Sequence, residues 1–172
     1  MTKSPSSTAR WREAALALAI IALDQATKAL LRDRLRLYQA HEIIPGLLSI
    51  VHGRNAGMAF GVFSTGGLPA QRILLAVVSA AVLVLVVLYW HRLAEAPVLL
   101  RLALALIAGG AVGNLIDRVR LGYVTDFIHV YWRLHQWPDF NVADSAITVG
   151  ITLLLLDAVR PRRDAGVSAA RA

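Results

Sequence analysis

The sequence predicts an all-α membrane protein: four transmembrane helices, with a small extracytoplasmic β-element and a short interfacial helix. Three observations predict it. Hydrophobic residues make up 57% of the 172 and charged residues only 17%, where soluble domains carry about 25% charged residues. Mean hydropathy is +0.58. Four apolar segments each approach the roughly 20 residues that cross a hydrocarbon core about 30 Å thick.

The first segment runs from Ala14 to Leu31. Its basic start (Lys3, Arg10, Arg12) resembles that of a signal peptide. The apolar run continues into Asp24, Gln25, Thr27 and Lys28, however, with no small-residue cleavage site behind it, so a retained helix is expected. The second segment is 73–90, the third 98–116 with Arg101 near its start, and the fourth 143–159. Backbone groups in lipid must be bonded internally, so all four are expected to be helical. One domain spans 1–172.

Two long connections separate these segments on one side. Residues 33–70 alternate in places (Ile43, Ile44, Leu47, Leu48, Ile50, Val51) and contain Pro45, Gly46, Gly53, Gly57 and Gly61, which reads as short strands and turns. Residues 119–142 carry Tyr123, Phe127, Tyr131, Trp132, Trp137 and Phe140, an aromatic content suited to the membrane–water interface. A short helix lying on the membrane is expected there. Residues 1–9 and 164–172 are small and polar and are expected to be disordered.

Four spans place both termini on one face. Total Lys and Arg are nearly equal on the two sides. Their density is higher in the tails and the short 91–97 loop, so both termini are expected in the cytoplasm. The formal net charge of +7 is scattered around apolar segments, a pattern suited to anionic lipid headgroups rather than nucleic acid. There is no cysteine, which excludes a disulfide framework and a thiol nucleophile.

Polar residues inside or beside spans cost roughly 2.5–3.5 kcal/mol at the helix centre and need a reason. Asp24 and Lys28 are four apart and share a helix face; they read either as an interfacial ion pair or as part of a site. In 109–118, Gly109 and Gly113 allow close helix approach, while Asn114, Asp117 and Arg118 share a face. These read as packing glue with a capping pair or as the polar wall of a site. Asp126 follows the third span and Asp144 begins the fourth, on the same membrane face. Asp144 alternatively caps the fourth helix, and Asp126 is alternatively an ordinary loop acid.

Two carboxylates about 3 Å apart share one proton. One then takes a proton from water while the other polarises a scissile carbonyl. Competing chemistries lack their signatures: there is no Gly-x-Ser-x-Gly and no His-Glu-x-x-His. His129 and His135 are expected to be interfacial residues. Arg54, Asn55 and Gly57 read as turn chemistry or as part of the site.

Five blocks then appear in order: Asp24-Gln25-Ala26-Thr27-Lys28, Asn55-Ala56-Gly57-Met58-Ala59-Phe60, Gly109 to Arg118, Val124-Thr125-Asp126-Phe127 and Phe140-Asn141-Val142-Ala143-Asp144-Ser145. Together they resemble the bacterial lipoprotein signal peptidase (signal peptidase II) family over roughly residues 15–158. The resemblance implies an aspartic endopeptidase that removes signal peptides from prolipoproteins, cutting before a diacylglyceryl-modified cysteine. It implies the catalytic pair Asp126 and Asp144. It also implies supporting roles for Asp24, Lys28, Asn55, Gly57, Asn114, Asp117, Arg118, Asn141 and Ala143, with Asp117 partnered to Arg118. It implies no cofactor and no metal, the inner membrane as location, and a site near its outer face. A monomer in contact with membrane lipids is expected. Two rival readings remain: a small ion-coupled transporter using the same carboxylates as ligands, and a structural subunit whose polar residues join helices.

Overall fold

The computed structural model describes residues 7–56 and 96–159, with 73, 77, 79–81, 83, 84 and 88 between them. The continuous helices among the described residues are α1 (Ser7–Arg34), α2 (Val98–Leu121) and α3 (Val142–Ala158). Small residues set their spacing. The central helix, α2, buries Ala103, Ala105, Ala108, Gly109, Gly110, Ala111 and Gly113, and packs on both α1 and α3. A Cβ added at Gly109 would stand 2.9 Å from the Ala17 carbonyl oxygen of α1. One added at Gly110 would collide with the Ala143 carbonyl of α3. Close backbone approach of this kind replaces the hydrophobic drive that helices lack in lipid.

α1 and α2 are long and apolar enough to cross a membrane. α3, at 17 residues, sits at the short end of the spanning range. Leu18, Leu23 and Leu30 on α1 and Ile151, Leu155 and Leu156 on α3 are exposed, as lipid-facing side chains would be. The segment expected at 73–90 falls largely outside the described residues; its described positions are helical. α1 is longer than the expected 14–31. Residues 7–9, expected in a disordered tail, open the helix. Near that end Glu13, buried on α1, lies 2.8 Å from Arg101 of α2 and joins the two helices.

The connections form one antiparallel sheet in the order β1 (Ala40–Ile44), β2 (Leu48–Asn55), β3 (Val124–Trp132) and β4 (His135–Gln136). The strand reading of 33–70 therefore holds for 40–55, and 57–70 lies outside the described residues. The short helix expected within 119–142 is a correction. Val124–Trp132 is a nine-residue strand. Its β-branched and aromatic side chains favour the pleated surface, and β2 supplies its ladder partners. The first half of β3 is buried and the second half is not; the strand starts against α1 and α2 and runs out along the sheet.

Candidate active site

Asp24, Lys28 and Arg32 recur every four residues along one stripe of α1. Asp24 and Lys28 are fully buried, and Lys28 Nζ lies 2.8 Å from Asp24 Oδ2 and 3.3 Å from Asp117 Oδ2. It also donates to Asn114 Oδ1 at 3.0 Å. A buried ammonium needs such partners, because the desolvation of an unpaired charge is worth several kcal/mol. Arg32 extends the stripe, lying 3.7 Å from Asp117 Oδ1 and donating to Thr125 Oγ1 at 3.0 Å. Gln25 donates to Asp24 Oδ2 at 3.1 Å and to the Gly113 carbonyl at 3.0 Å.

Asp117 does a second thing. Its Oδ2 accepts the Thr125 backbone N–H at 3.0 Å, which fastens the start of β3 to the end of α2. Between them Gly122 ends α2 in the left-handed region (φ 77), and its N–H bonds the Arg118 carbonyl. The next residue along β3, Asp126, is thereby set at the top of the bundle. Gly53 of β2 stands opposite it in the ladder.

Asp144 arrives from the other side. Asn141 is the N-cap of α3 and Asp144 its N3 residue, and the two form a reciprocal capping box. The Asp144 N–H donates to Asn141 Oδ1 at 3.0 Å, and the Asn141 N–H donates to Asp144 Oδ2 at 3.2 Å. Asp144 therefore caps α3, as one of the two sequence readings has it, and the capping box orients its carboxyl. Asn141 then reaches across. Its Nδ2 donates to Asp126 Oδ1 at 2.7 Å, so one residue touches both carboxylates. Asn114 Nδ2 donates to Asp144 Oδ1 at 2.7 Å, and Asn55 Nδ2 donates to Asp126 Oδ2 at 2.9 Å. The Ala143 N–H donates to Asp24 Oδ1 at 3.0 Å, which ties α3 to α1.

The Asp126 carboxyl is pushed up from an ordinary 3.8 to about 7. Burial is the largest cause and the Asp144 charge adds to it, against the lowering effect of Asn55, Asn141 and Lys28. Asp126 also lines a cleft of about 220 Å³ with Tyr38, Gly53, Arg54, Asn55, Pro138 and Asp139. Asp126 thus borders open space on its sheet side.

The structure thus gathers Asp24, Lys28, Asn55, Asn114, Asp117, Asn141, Ala143 and the two acids into one cluster. Gly57 lies outside the described residues. Two expectations change. Asp117 pairs with Lys28 and Arg32, not with Arg118, because adjacent helix residues do not face each other. Arg118 is within electrostatic reach of Asp144, Asp126 and Asp117 but forms no ion pair with any of them. Arg54 and Asn55 belong to a strand rather than a turn.

Sequence reasoning left Arg32 and Thr125 out of the site and read His129 as an interfacial residue. Arg32 was findable as the next i+4 step after Lys28. Thr125 acts through its backbone N–H on Asp117 and its hydroxyl on Arg32, contacts that no local spacing encodes. His129 lies 2.6 Å from Asp139, a pairing no local spacing encodes.

Comparison with known proteins identifies the family. The pattern of the family described as Signal peptidase (SPase) II matches residues 16–160. The chain is 46% identical over 143 residues to the lipoprotein signal peptidase of Geobacter metallireducens, covering 83% of this chain and 87% of that one. It is 46% identical to the lipoprotein signal peptidase of Geobacter sulfurreducens, covering 87% and 92%. It is also similar to a bacterial membrane enzyme solved by the in meso method at 1.9 Å resolution. There the TM-score is 0.76 at 26% identity, over 94% of this chain and 99% of the other.

Proposed function

The chain belongs to the signal peptidase II family, and on that premise we propose that Asp126 and Asp144 carry out its reaction. The protein is an aspartic endopeptidase that removes the signal peptide from bacterial prolipoproteins, cutting before the diacylglyceryl-modified cysteine. It is an inner-membrane protein.

The observation that carries the assignment is the Asn141 bridge. Its backbone N–H and its side-chain amide hold the two carboxylates from one residue. Around them, Lys28, Arg32 and Arg118 face Asp24, Asp117, Asp126 and Asp144. Three cations against four carboxylates leave one negative charge in excess. A single proton shared by the Asp126–Asp144 pair brings the cluster to neutrality, and the raised Asp126 pKa of about 7 fits that proton at neutral pH.

The unprotonated carboxylate removes a proton from water, and the water oxygen attacks the scissile carbonyl carbon. The protonated one hydrogen-bonds the carbonyl oxygen as it gains negative charge. When the tetrahedral species collapses, the C–N bond breaks. The dyad returns a proton to the cysteine nitrogen, and the signal peptide leaves with a new carboxylate. Asn55, Asn114 and Asn141 hold both acids without supplying a charge that would strip the shared proton.

The full set of supporting residues is Asp24, Lys28, Asn55, Gly57, Asn114, Asp117, Arg118, Asn141 and Ala143. Four spans, cytoplasmic termini, a site near the outer face and a monomer in contact with lipid complete the reading. The ion-transport alternative gains nothing from relatives that are named as peptidases.

Cleavage of a purified diacylglyceryl-modified precursor tests the dyad. Asp126→Asn and Asp144→Asn are each expected to lower the rate by about a thousandfold or more while the variant still unfolds cooperatively. Full activity in either would overturn the assignment. The orientation has its own reporter. The chain has no cysteine, and Leu134 at the β3–β4 turn is 96% exposed. A Leu134→Cys variant in intact cells should react with a membrane-impermeant maleimide; labelling only after permeabilisation would reverse the topology.

A further inference from the structure

The cleft beside Asp126 contains a second acid that the reaction above does not use. Asp139, in the segment between β4 and α3, lines the wall facing Gly53. Its Oδ1 lies 2.6 Å from His129 Nδ1. Its Oδ2 makes no hydrogen bond within the described residues. That oxygen would stand only 3.3 Å from a Cβ placed on Gly53, and the Asp126 backbone carbonyl oxygen only 3.1 Å from the same point. An unsatisfied carboxylate oxygen and the backbone of the proposed catalytic acid therefore border one patch of the cleft floor.

The acid is held in place. His129 stacks on Tyr131 with ring centroids 5.2 Å apart. The Tyr131 hydroxyl in turn donates to Glu42 Oε1 of β1 at 2.6 Å. Two strands, β3 through His129 and Tyr131 and β1 through Glu42, thus fix the orientation of Asp139. Arg54 lines the same cleft but sits 4.6 Å over the Tyr123 ring and forms no ion pair with Asp139. A carboxylate beside a guanidinium to which it is not paired, with one oxygen open to the cleft, is arranged for something that enters it.

The position indicates what enters. Asn114 and Asn141, on the helix side of the two acids, lead back into the bundle, where an apolar signal peptide would lie. The cleft opens on the opposite, sheet side. Its charged lining, Arg54 and Asp139, suits the polypeptide that follows the cysteine better than an apolar signal peptide.

We propose that Asp139, presented by His129, is a specificity-determining residue for the first positions after the modified cysteine. Its free oxygen accepts a hydrogen bond from a basic side chain there and repels an acidic one. This rests on the peptidase reading above.

The test is a precursor panel that carries Lys, Gln or Glu at each of the three positions after the cysteine, with kcat/KM as the readout. In the wild type, Lys over Glu is expected to be favoured by about three- to tenfold at one of these positions, the range of a half-exposed charge contact. The ratio should fall to within about twofold in Asp139→Asn and invert in Asp139→Arg. His129→Gln should lower it partway, because the acid is then free to swing. Arg54 biases the Lys-to-Glu ratio alike in every variant and cancels when each ratio is compared with that of the wild type. An unchanged ratio in Asp139→Asn would overturn the proposal. So would loss of all cleavage in that variant, which would place Asp139 in the reaction itself. If the wild type cut no precursor at all, the peptidase reading would fail instead.

Discussion

Two pairs of aspartates lie within one cluster and differ in what holds them. Asp24 and Asp117 are held by cations: Lys28 touches both, and Arg32 adds to Asp117. Asp126 and Asp144 are held by carboxamides, those of Asn55, Asn141 and Asn114. A cation fixes an acid in its ionised form. A carboxamide orients an acid and leaves its protonation open. The first pair is sealed among helices, whereas Asp126 borders a cleft. The same residue type thus serves as a structural anion in one place and as a proton carrier in the other, and the partner decides which.

Removal of the shared cation should break this contrast most strongly. Lys28→Met leaves Asp24 and Asp117 buried beside each other without their ammonium. A loss of about 3–5 kcal/mol is expected, as for other broken buried pairs. Thermal unfolding in detergent would show it, and a loss below about 1 kcal/mol would mean that the two acids are not held by Lys28.

The reverse sign is expected on the other side. The Asp126 carboxyl has its pKa raised from 3.8 to about 7 in the folded protein. The folded state therefore binds this proton more tightly than the unfolded one, and stability falls as pH rises from about 4 to about 7. Above that window the full penalty remains. Asp126→Asn removes it, so the inactive variant should be more stable than the wild type at pH 8, by about 1–3 kcal/mol after the altered hydrogen bonds. At pH 4 that advantage should be gone, leaving the variant no more stable than the wild type. Equal stability at both pH values would show that Asp126 does not carry the raised pKa.

The smallest effect separates the two cations. Arg32 is 24% exposed and 3.7 Å from Asp117, so Arg32→Gln should lower stability by only about 1 kcal/mol. If it matched Lys28→Met, the stripe would act as one unit rather than as a buried charge with an outer support.

Much of this was legible in the residues because it is local. Helices α1, α2 and α3 follow from apolar runs, and the close approach at Gly109 follows from its missing side chain. The spacing of Asp24 and Lys28 gave their pairing, since i and i+4 must share a helix face. The box between Asn141 and Asp144 lies within one turn. The strand at 124–132 was less legible: aromatic residues suit both an interface and a sheet, and only pairing with β2 decides between them.

The sequence by itself determined which chemical groups are present and which short segments present them. It set two acids at the ends of neighbouring spans, and cations and amides on the faces beside them. Only the tertiary structure decided who holds whom. Lys28 meets Asn114 across 86 positions, and Asp24 meets the Ala143 N–H across 119. Helical period constrains neighbours one turn apart and says nothing about contacts at such separations. The choice of Lys28 over Arg118 as partner of Asp117, and of Asn141 as the bridge between Asp126 and Asp144, comes from the packing of α1 and α3 on the small-residue faces of α2.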